Sequence, residues 1–255
     1  MTGRLSDKVA LVSGGTRGIG EAIVRVFAAE GAAVAFSGRR RDVGEALQSE
    51  LEAGGLVSLY VNADASREED VKRLVTTTLE RFGRLDVVVN NAGITASGPV
   101  EHMSVNTWRD VMEHNVTSMF LVSREVIPAL RAAGGGSIIN LGSTYGVVGA
   151  AGSSAYGVSK AAAINFSRHL ALELAPDRIR VNALCPGATM TPMNLEWADA
   201  QDDPEAAQRA LARRHPIGRI ASSLEQARAA LFLASDDASY VTGHALMVDG
   251  GYTAI

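Results

Sequence analysis

Tyr156 and Lys160 stand four residues apart in Ser153-Ser-Ala-Tyr-Gly-Val-Ser-Lys160. Positions i and i+4 of a helix share one face, so a phenol and an ammonium there point at the same spot. A nearby cation favours the phenolate and lowers the tyrosine pKa from about 10 toward working pH, where a general acid–base is most effective. Taken alone, the pair fits an ordinary solvated helix face equally well. Its meaning depends on what else the chain brings to that place.

Two further segments bear on it. Lys8 to Ser13 is an apolar run of strand length that leads into Gly14-Gly-Thr16-Arg17-Gly18-Ile19-Gly20. Beyond it, apolar residues at 19, 23, 26 and 27 follow helical spacing. A buried strand, a glycine turn and a helix N-terminus together make an anion site, where free N–H groups and the helix dipole face a pyrophosphate. The spacing Gly-x-x-x-Gly-x-Gly differs from the fingerprint of the usual Rossmann dehydrogenases. The second segment, Leu85 to Asn90, is a continuous apolar run that reads as a strand buried on both faces of a parallel sheet. It runs into Asn91-Ala92-Gly93, suited to hydrogen bonding and close backbone approach, or to a simple loop.

Together these residues resemble the short-chain dehydrogenase/reductase family, in its single-domain branch without large insertions. The resemblance runs from about residue 5 to 252 and includes Asp64-Ala65, Asn115, Ser143, Pro186-Gly187 and the closing Val248-Asp249-Gly250-Gly251. Ser13 stands where the family usually has Thr, which keeps the hydroxyl. The resemblance implies that Tyr156 is the general acid–base and that Ser143 orients and polarises the substrate oxygen. It further implies that Lys160 lowers the Tyr156 pKa and binds the nicotinamide ribose, and that Asn115 holds a water linking Lys160 to solvent. As dinucleotide contacts it implies Gly14, Thr16, Arg17, Gly18, Ile19, Gly20, Arg39, Asp64, Ala65, Asn91, Ala92, Gly93, Pro186, Gly187, Thr189 and Thr191, with Tyr156 and Lys160.

The elements that must position these groups alternate along the chain. Strands are expected at 8–13, 33–37, 56–61, 85–90, 136–141, 179–184 and 245–248, and helices near 19–30, 42–53, 67–82, 105–132, 155–174 and 223–235. Such alternation gives an α/β fold with a doubly wound parallel sheet and helices on both faces. The family resemblance adds a Rossmann-like seven-stranded order 3-2-1-4-5-6-7 in one domain over 1–255. Ser153 or Ser154 suits the N-cap of the Tyr156 helix. Residues 188–222, with Pro192, Pro204 and Pro216, break the rhythm and read as a substrate lid or a surface loop. Apolar Val116, Met119, Phe120, Val126 and Ile127 spread over more than one helix face, which with the resemblance predicts a homotetramer.

Composition narrows the function classes. A chain of 255 residues with 47% hydrophobic content can bury one sizeable core. Its net charge of −4 gives no electrostatic case for nucleic acid. No apolar run approaches the ~20 residues that span a bilayer, and the amino end lacks a signal-peptide pattern. The single Cys185 reads as a small apolar residue, compatible with a cytoplasmic location. The five histidines show no metal-ligand spacing, so no metal is expected.

The cofactor expected is NADP(H) in preference to NAD(H). NAD enzymes generally place a carboxylate at the end of the second strand, about 20 residues past the glycine turn. Here Gly38 takes that position and Arg39 and Arg40 follow. Gly38 would leave room for a 2′-phosphate that Arg39 grips and Arg17 reaches from the other side. The resemblance implies a ketone or secondary alcohol as substrate, and the sequence leaves open a 3-oxoacyl thioester, a cyclic ketone, a sugar or a small polyol. Its expected pocket is Thr95, Ala96, Ser97, Thr144, Tyr145, Gly149, Ala150, Met190, Met193 and Trp197, with no Arg or Lys aimed at an anionic group. The alternative is a non-catalytic dinucleotide-binding regulatory module of the same fold.

Overall fold

Residues 9–13 alternate their side chains between two cores, and the sheet is built on that alternation. Ala10 and Val12 of strand β1 (Val9–Ser13) enter the core formed with helices α1 (Gly18–Ala29), α2 (Arg41–Ala53) and α9 (Ser223–Ala234). Val9 and Leu11 enter the opposite core, with α3 (Glu68–Phe82), α5 (Ser118–Ala132) and α6 (Ser154–Leu174). Strands β4 (Val87–Asn90) and β5 (Gly136–Leu141) divide in the same way. Burial on both faces is why these strands are continuously apolar.

The computed structural model describes residues 3–255. Strands β2 (Ala33–Gly38), β3 (Ser58–Asn62), β6 (Ile179–Pro186) and β9 (Ala245–Val248) complete a seven-stranded parallel sheet in the order β3-β2-β1-β4-β5-β6-β9. This is the expected 3-2-1-4-5-6-7 order in a single domain; the last strand is numbered nine because two short strands intervene. These are β7 (Thr189–Met190) and β8 (Ala221–Ser222), which pair in parallel apart from the main sheet. Between them lie α7 (Pro192–Asp199) and α8 (Pro204–Arg213), so residues 188–222 are largely helical.

Three local readings need revision. The stretch 105–132 is not one α-helix: α4 (Val105–Met112) passes through a π turn at Glu113–Thr117 into α5. The wider turn brings Asn115 into the interior, 1% exposed. Ser153 does not cap α6 with its side chain, because its backbone (φ −122°, ψ 27°) lies outside the extended conformation a cap adopts, and the Ser154 hydroxyl is buried without a partner. Met119 and Val126, counted toward a partner-facing surface, are buried in the core, whereas Phe120 is 45% exposed. No helix among the described residues is long and apolar enough to cross a membrane.

Helix α6 approaches the sheet closely because small residues (Ala155, Ser159, Ala163, Ser167 and Ala171) are buried along it. A buried amide chain then registers the strand ends against it. Asn90 donates to Ser123 Oγ and to Asn140 Oδ1, and Asn140 donates to Ser167 Oγ. The carboxyl edge of β4 and β5 is thereby fixed beneath Tyr156 and Lys160.

Candidate active site

The catalytic candidates come from elements that meet at this edge. Ser143 follows β5, is 7% exposed, and its hydroxyl accepts the Tyr145 N–H at 3.2 Å, capping the short turn Thr144–Gly146. Tyr156 and Lys160 occupy the first two turns of α6. The Lys160 ammonium donates to the Leu141 carbonyl at 2.7 Å and lies 5.6 Å from the centroid of the Tyr156 ring.

Burial governs the protonation of both groups. It lowers the Lys160 pKa to about 8. It raises that of Tyr156 above the usual phenol value, opposed by the neighbouring Ser143 hydroxyl. The expected lowering of the Tyr156 pKa by the Lys160 cation is therefore absent from this arrangement. Desolvation penalises the charged form of each group, and the ammonium directs its hydrogen bond to Leu141.

The Asn115 side chain makes three hydrogen bonds. Its Nδ2 donates to the Ile94 carbonyl and to Ser159 Oγ, both at 2.9 Å, and its Oδ1 accepts the Ile94 N–H at 2.7 Å. The amide clamps the exit of β4 to α6, and one Oδ1 lone pair remains for water. A Cβ at Gly93 would stand 3.0 Å from that oxygen and 3.7 Å from Lys160 Nζ, so all three adjoin.

On the other wall, the glycine turn forms a cradle that side chains would fill. Gly14 and Gly18 have φ of +66° and +60°, the left-handed region that favours glycine. A Cβ at Gly20 would fall 2.2 Å from the Gly14 carbonyl oxygen, and one at Gly14 would fall 2.9 Å from Ala92 Cα. Arg17 gives the α1 N-terminus no side-chain cap. A pyrophosphate fits this turn, whose backbone is open to anions at the start of a helix.

Both walls belong to one cleft of about 660 Å³. Gly14, Thr16, Arg17, Gly18, Ile19, Arg39, Asp64, Ala65, Asn91, Ala92, Gly93, Pro186, Gly187, Thr189 and Thr191 line it together with Ser143, Tyr156 and Lys160. Gly20 and Asn115 lie behind the surface and support it. Of the expected substrate pocket, Thr95, Ser97, Thr144, Tyr145, Met193 and Trp197 line the cleft. Ala96, Gly149, Ala150 and Met190 do not, and Met190 turns to solvent at 43% exposure.

The two arginines expected at a 2′-phosphate both border the cleft, each beside an acid. Arg39 Nη1 lies 3.8 Å from Asp64 Oδ2 and 3.5 Å from His114 Nε2. Arg17 Nη1 lies 3.1 Å from Glu196 Oε1 of α7. Gly38 does not supply free room, because a Cβ there would meet the Thr16 side chain at 2.6 Å. Thr16 already fills the space that the missing side chain leaves. Cys185 is fully buried and its thiol is pushed up to about 12 by burial, which suits an inert core residue.

The absence of a cationic pocket residue, expected from the sequence, is not what the fold produces. Arg214, His215 and Tyr252 border the cleft next to Tyr145. Arg214 donates to the hydroxyls of Tyr145 and Tyr252. Sixty-nine residues separate Arg214 from Tyr145, and no local pattern marks the contact. The nearest signal is the position of Tyr252, directly after Gly250-Gly251.

Residues 14–253 match a family model described as Enoyl-(Acyl carrier protein) reductase. A solved structure from Burkholderia xenovorans, described only as a short-chain dehydrogenase/reductase, superposes with a TM-score of 0.95 at 36% identity, covering 99% of each chain. The chain belongs to the short-chain dehydrogenase/reductase family. Among the curated members of this family, cyclopentanol dehydrogenase of Comamonas sp. (strain NCIMB 9872) is 42% identical over 252 residues, 99% of each chain. Trans-4-hydroxycyclohexanecarboxylate dehydrogenase of Sinomonas cyclohexanicum is 39% identical over 259 residues, 98% of this chain and 95% of the relative.

Proposed function

We propose that this short-chain dehydrogenase/reductase is an NADP(H)-linked oxidoreductase that interconverts a ring secondary alcohol and its ketone. The observation that carries the reading is the meeting of Ser143, Tyr156 and Lys160 at one end of a cleft whose other wall is the glycine cradle. A nicotinamide dinucleotide, when bound, supplies or accepts the hydride at the substrate carbon.

The chain's own groups handle the oxygen and its proton. Ser143 hydrogen-bonds the substrate oxygen and fixes it beside the phenol. Tyr156, a phenol that is protonated at neutral pH and that burial keeps so, gives its proton to that oxygen in the reducing direction. Lys160, with a pKa near 8, is the nearby group that titrates close to working pH. It lies 5.6 Å from the centroid of the Tyr156 ring, so the apparent pKa of turnover belongs to the pair. A dinucleotide-binding module without catalysis could use Lys160 for the ribose, but would have no use for Ser143 and Tyr156 lining the same cleft.

The two relatives named above both take a ring alcohol by name, which supports an alicyclic substrate. Only one of those rings carries a carboxylate, so the names leave the substrate's charge open. The preference for NADP(H) rests on Arg39 and Arg17 at the adenosine end and on the missing acid at Gly38. A panel of cycloalkanols and cycloalkanones, each with NADP(H) and NAD(H), tests the reading. Cofactor-coupled turnover of ring substrates supports it; inactivity on the whole panel with both cofactors contradicts it.

Two organisational expectations accompany this reading. Residues 188–222 act as a lid, tied to the glycine turn by the Arg17–Glu196 pair. Amide exchange over 192–199 should slow when NADP+ is added, and an unchanged rate argues against a lid. The protein assembles as a cytoplasmic homotetramer through the outer faces of α4, α5 and α6, where Trp108, Phe120, Val158 and Leu172 are exposed. Light scattering should give four times the chain mass of 26.7 kDa, and a monomer would refute the assembly.

A further inference from the structure

The substrate end of the cleft holds a cation that the proton chemistry leaves unused. Arg214 follows α8 and directs its guanidinium to neutral partners, the hydroxyls of Tyr145 and Tyr252. Asp64, at the nucleotide end, is the only carboxylate among the described residues that line the cleft. Arg214 is exposed to solvent where it borders the cleft, and it has no carboxylate partner among the described residues.

The surroundings hold it in place. The guanidinium carbon lies 6.0 Å from the centroid of the Tyr145 ring and 5.2 Å from that of Tyr252. Tyr252 stacks on His215 at 5.3 Å between centroids. His215 is 4% exposed, and its Nδ1–H donates to the Leu211 carbonyl while Nε2 accepts the Ala188 N–H. Asp249 accepts the N–H groups of Gly251 and Thr253, which fixes the turn that carries Tyr252. Three separated parts of the chain therefore fix one side chain.

Its chemistry selects an anion. A guanidinium has five N–H donors in a planar fork, and two hydroxyls occupy only part of it. A hydroxyl that accepts from arginine keeps its own hydrogen for another acceptor, so Tyr145 and Tyr252 each add a donor. A planar fork with hydroxyl donors beside it matches a carboxylate. A carboxylate side chain would anchor the segment as well, and neutral tyrosines instead leave the positive charge available.

The spacing sets the ligand's size. Tyr145 packs edge-on against Tyr156, with centroids 6.4 Å apart and planes at 86°. Tyr145 thus neighbours both Arg214 and the phenol that handles the proton, which places the cation within about two ring contacts of the reacting groups. We infer that Arg214 is the substrate's carboxylate anchor, and that the substrate is a ring hydroxy acid or keto acid with its carboxylate across the ring from the reacting carbon. This inference rests on the oxidoreductase reading above and narrows its substrate class.

The test reads binding, so it is independent of turnover. Calorimetric titration of the full chain with NADP+ bound compares cyclohexanecarboxylate with cyclohexanecarboxamide, its uncharged isostere. The wild type should bind the carboxylate about tenfold or more tightly than the amide, the scale of a charge-assisted hydrogen bond. Arg214→Gln should erase that preference, and Arg214→Lys, which keeps the charge without the fork, should retain part of it. Equal affinities in the wild type, no binding of the carboxylate, a preference that survives Arg214→Gln, or a lysine variant no better than glutamine would each overturn the assignment. Carboxylate binding without turnover of any ring alcohol would keep the anchor and sink the oxidoreductase reading.

Discussion

The Lys160 ammonium sits over the Tyr156 ring, 5.6 Å from its centroid, while its hydrogen bond goes to the Leu141 carbonyl at the end of β5. The lysine is thus tied to the sheet edge by its head group and to the tyrosine through the helix they share. Its pKa near 8 follows from that burial.

This relationship has a measurable consequence for stability. The folded-state pKa of Lys160 is depressed from 10.5 to about 8, so between those values the unfolded chain binds the extra proton. Stability then rises with pH across that window, by on the order of 3 kcal/mol for this group alone. Below about pH 8 both states are protonated and the group adds no slope. Chemical denaturation of wild type and Lys160→Met at pH 7 to 10 should show the wild type gaining relative to the variant above pH 8. Parallel curves would mean that Lys160 is not buried as a cation.

Arg39 should carry cofactor choice. It is largely exposed and beside Asp64, so its removal leaves the fold intact while taking a cation from the adenosine end. Arg39→Leu should lower kcat/KM with NADP+ about tenfold or more, the loss of one charge-assisted hydrogen bond, and leave the NAD+ value nearly constant. An unchanged ratio between the two cofactors would show that Arg39 does not read a 2′-phosphate. Gly38→Asp is the poorer probe, because its Cβ must first displace Thr16.

The strands and the glycine turn were legible in the sequence because their signals are local, whereas the sheet order came with the family resemblance. Strands buried on both faces are continuously apolar, as Val87 to Val89 are, and the Gly14–Gly20 turn has few other uses. Arg214 was not legible, since its partners Tyr145 and Tyr252 are joined to it only by the tertiary fold. The π turn was equally hidden: Glu113-His-Asn-Val-Thr117 carries no breaker, and the turn coincides with long-range hydrogen bonds from Asn115 to Ile94 and Ser159. The balance of burial against charge at Tyr156 depends on desolvation, which spacing alone does not contain.

The most direct test of the site is Tyr156→Phe, which removes one hydroxyl from a ring that stays packed between Tyr145 and Lys160. Single-turnover rates on any ring ketone that the wild type reduces should fall by roughly 10²–10⁴-fold, the usual worth of a positioned acid–base group. The dissociation constant for NADPH, measured on the same samples, should move by less than about threefold, since the glycine cradle is untouched. A variant that keeps more than about a tenth of the wild-type rate, far above the usual loss, would show that Tyr156 is not the proton donor.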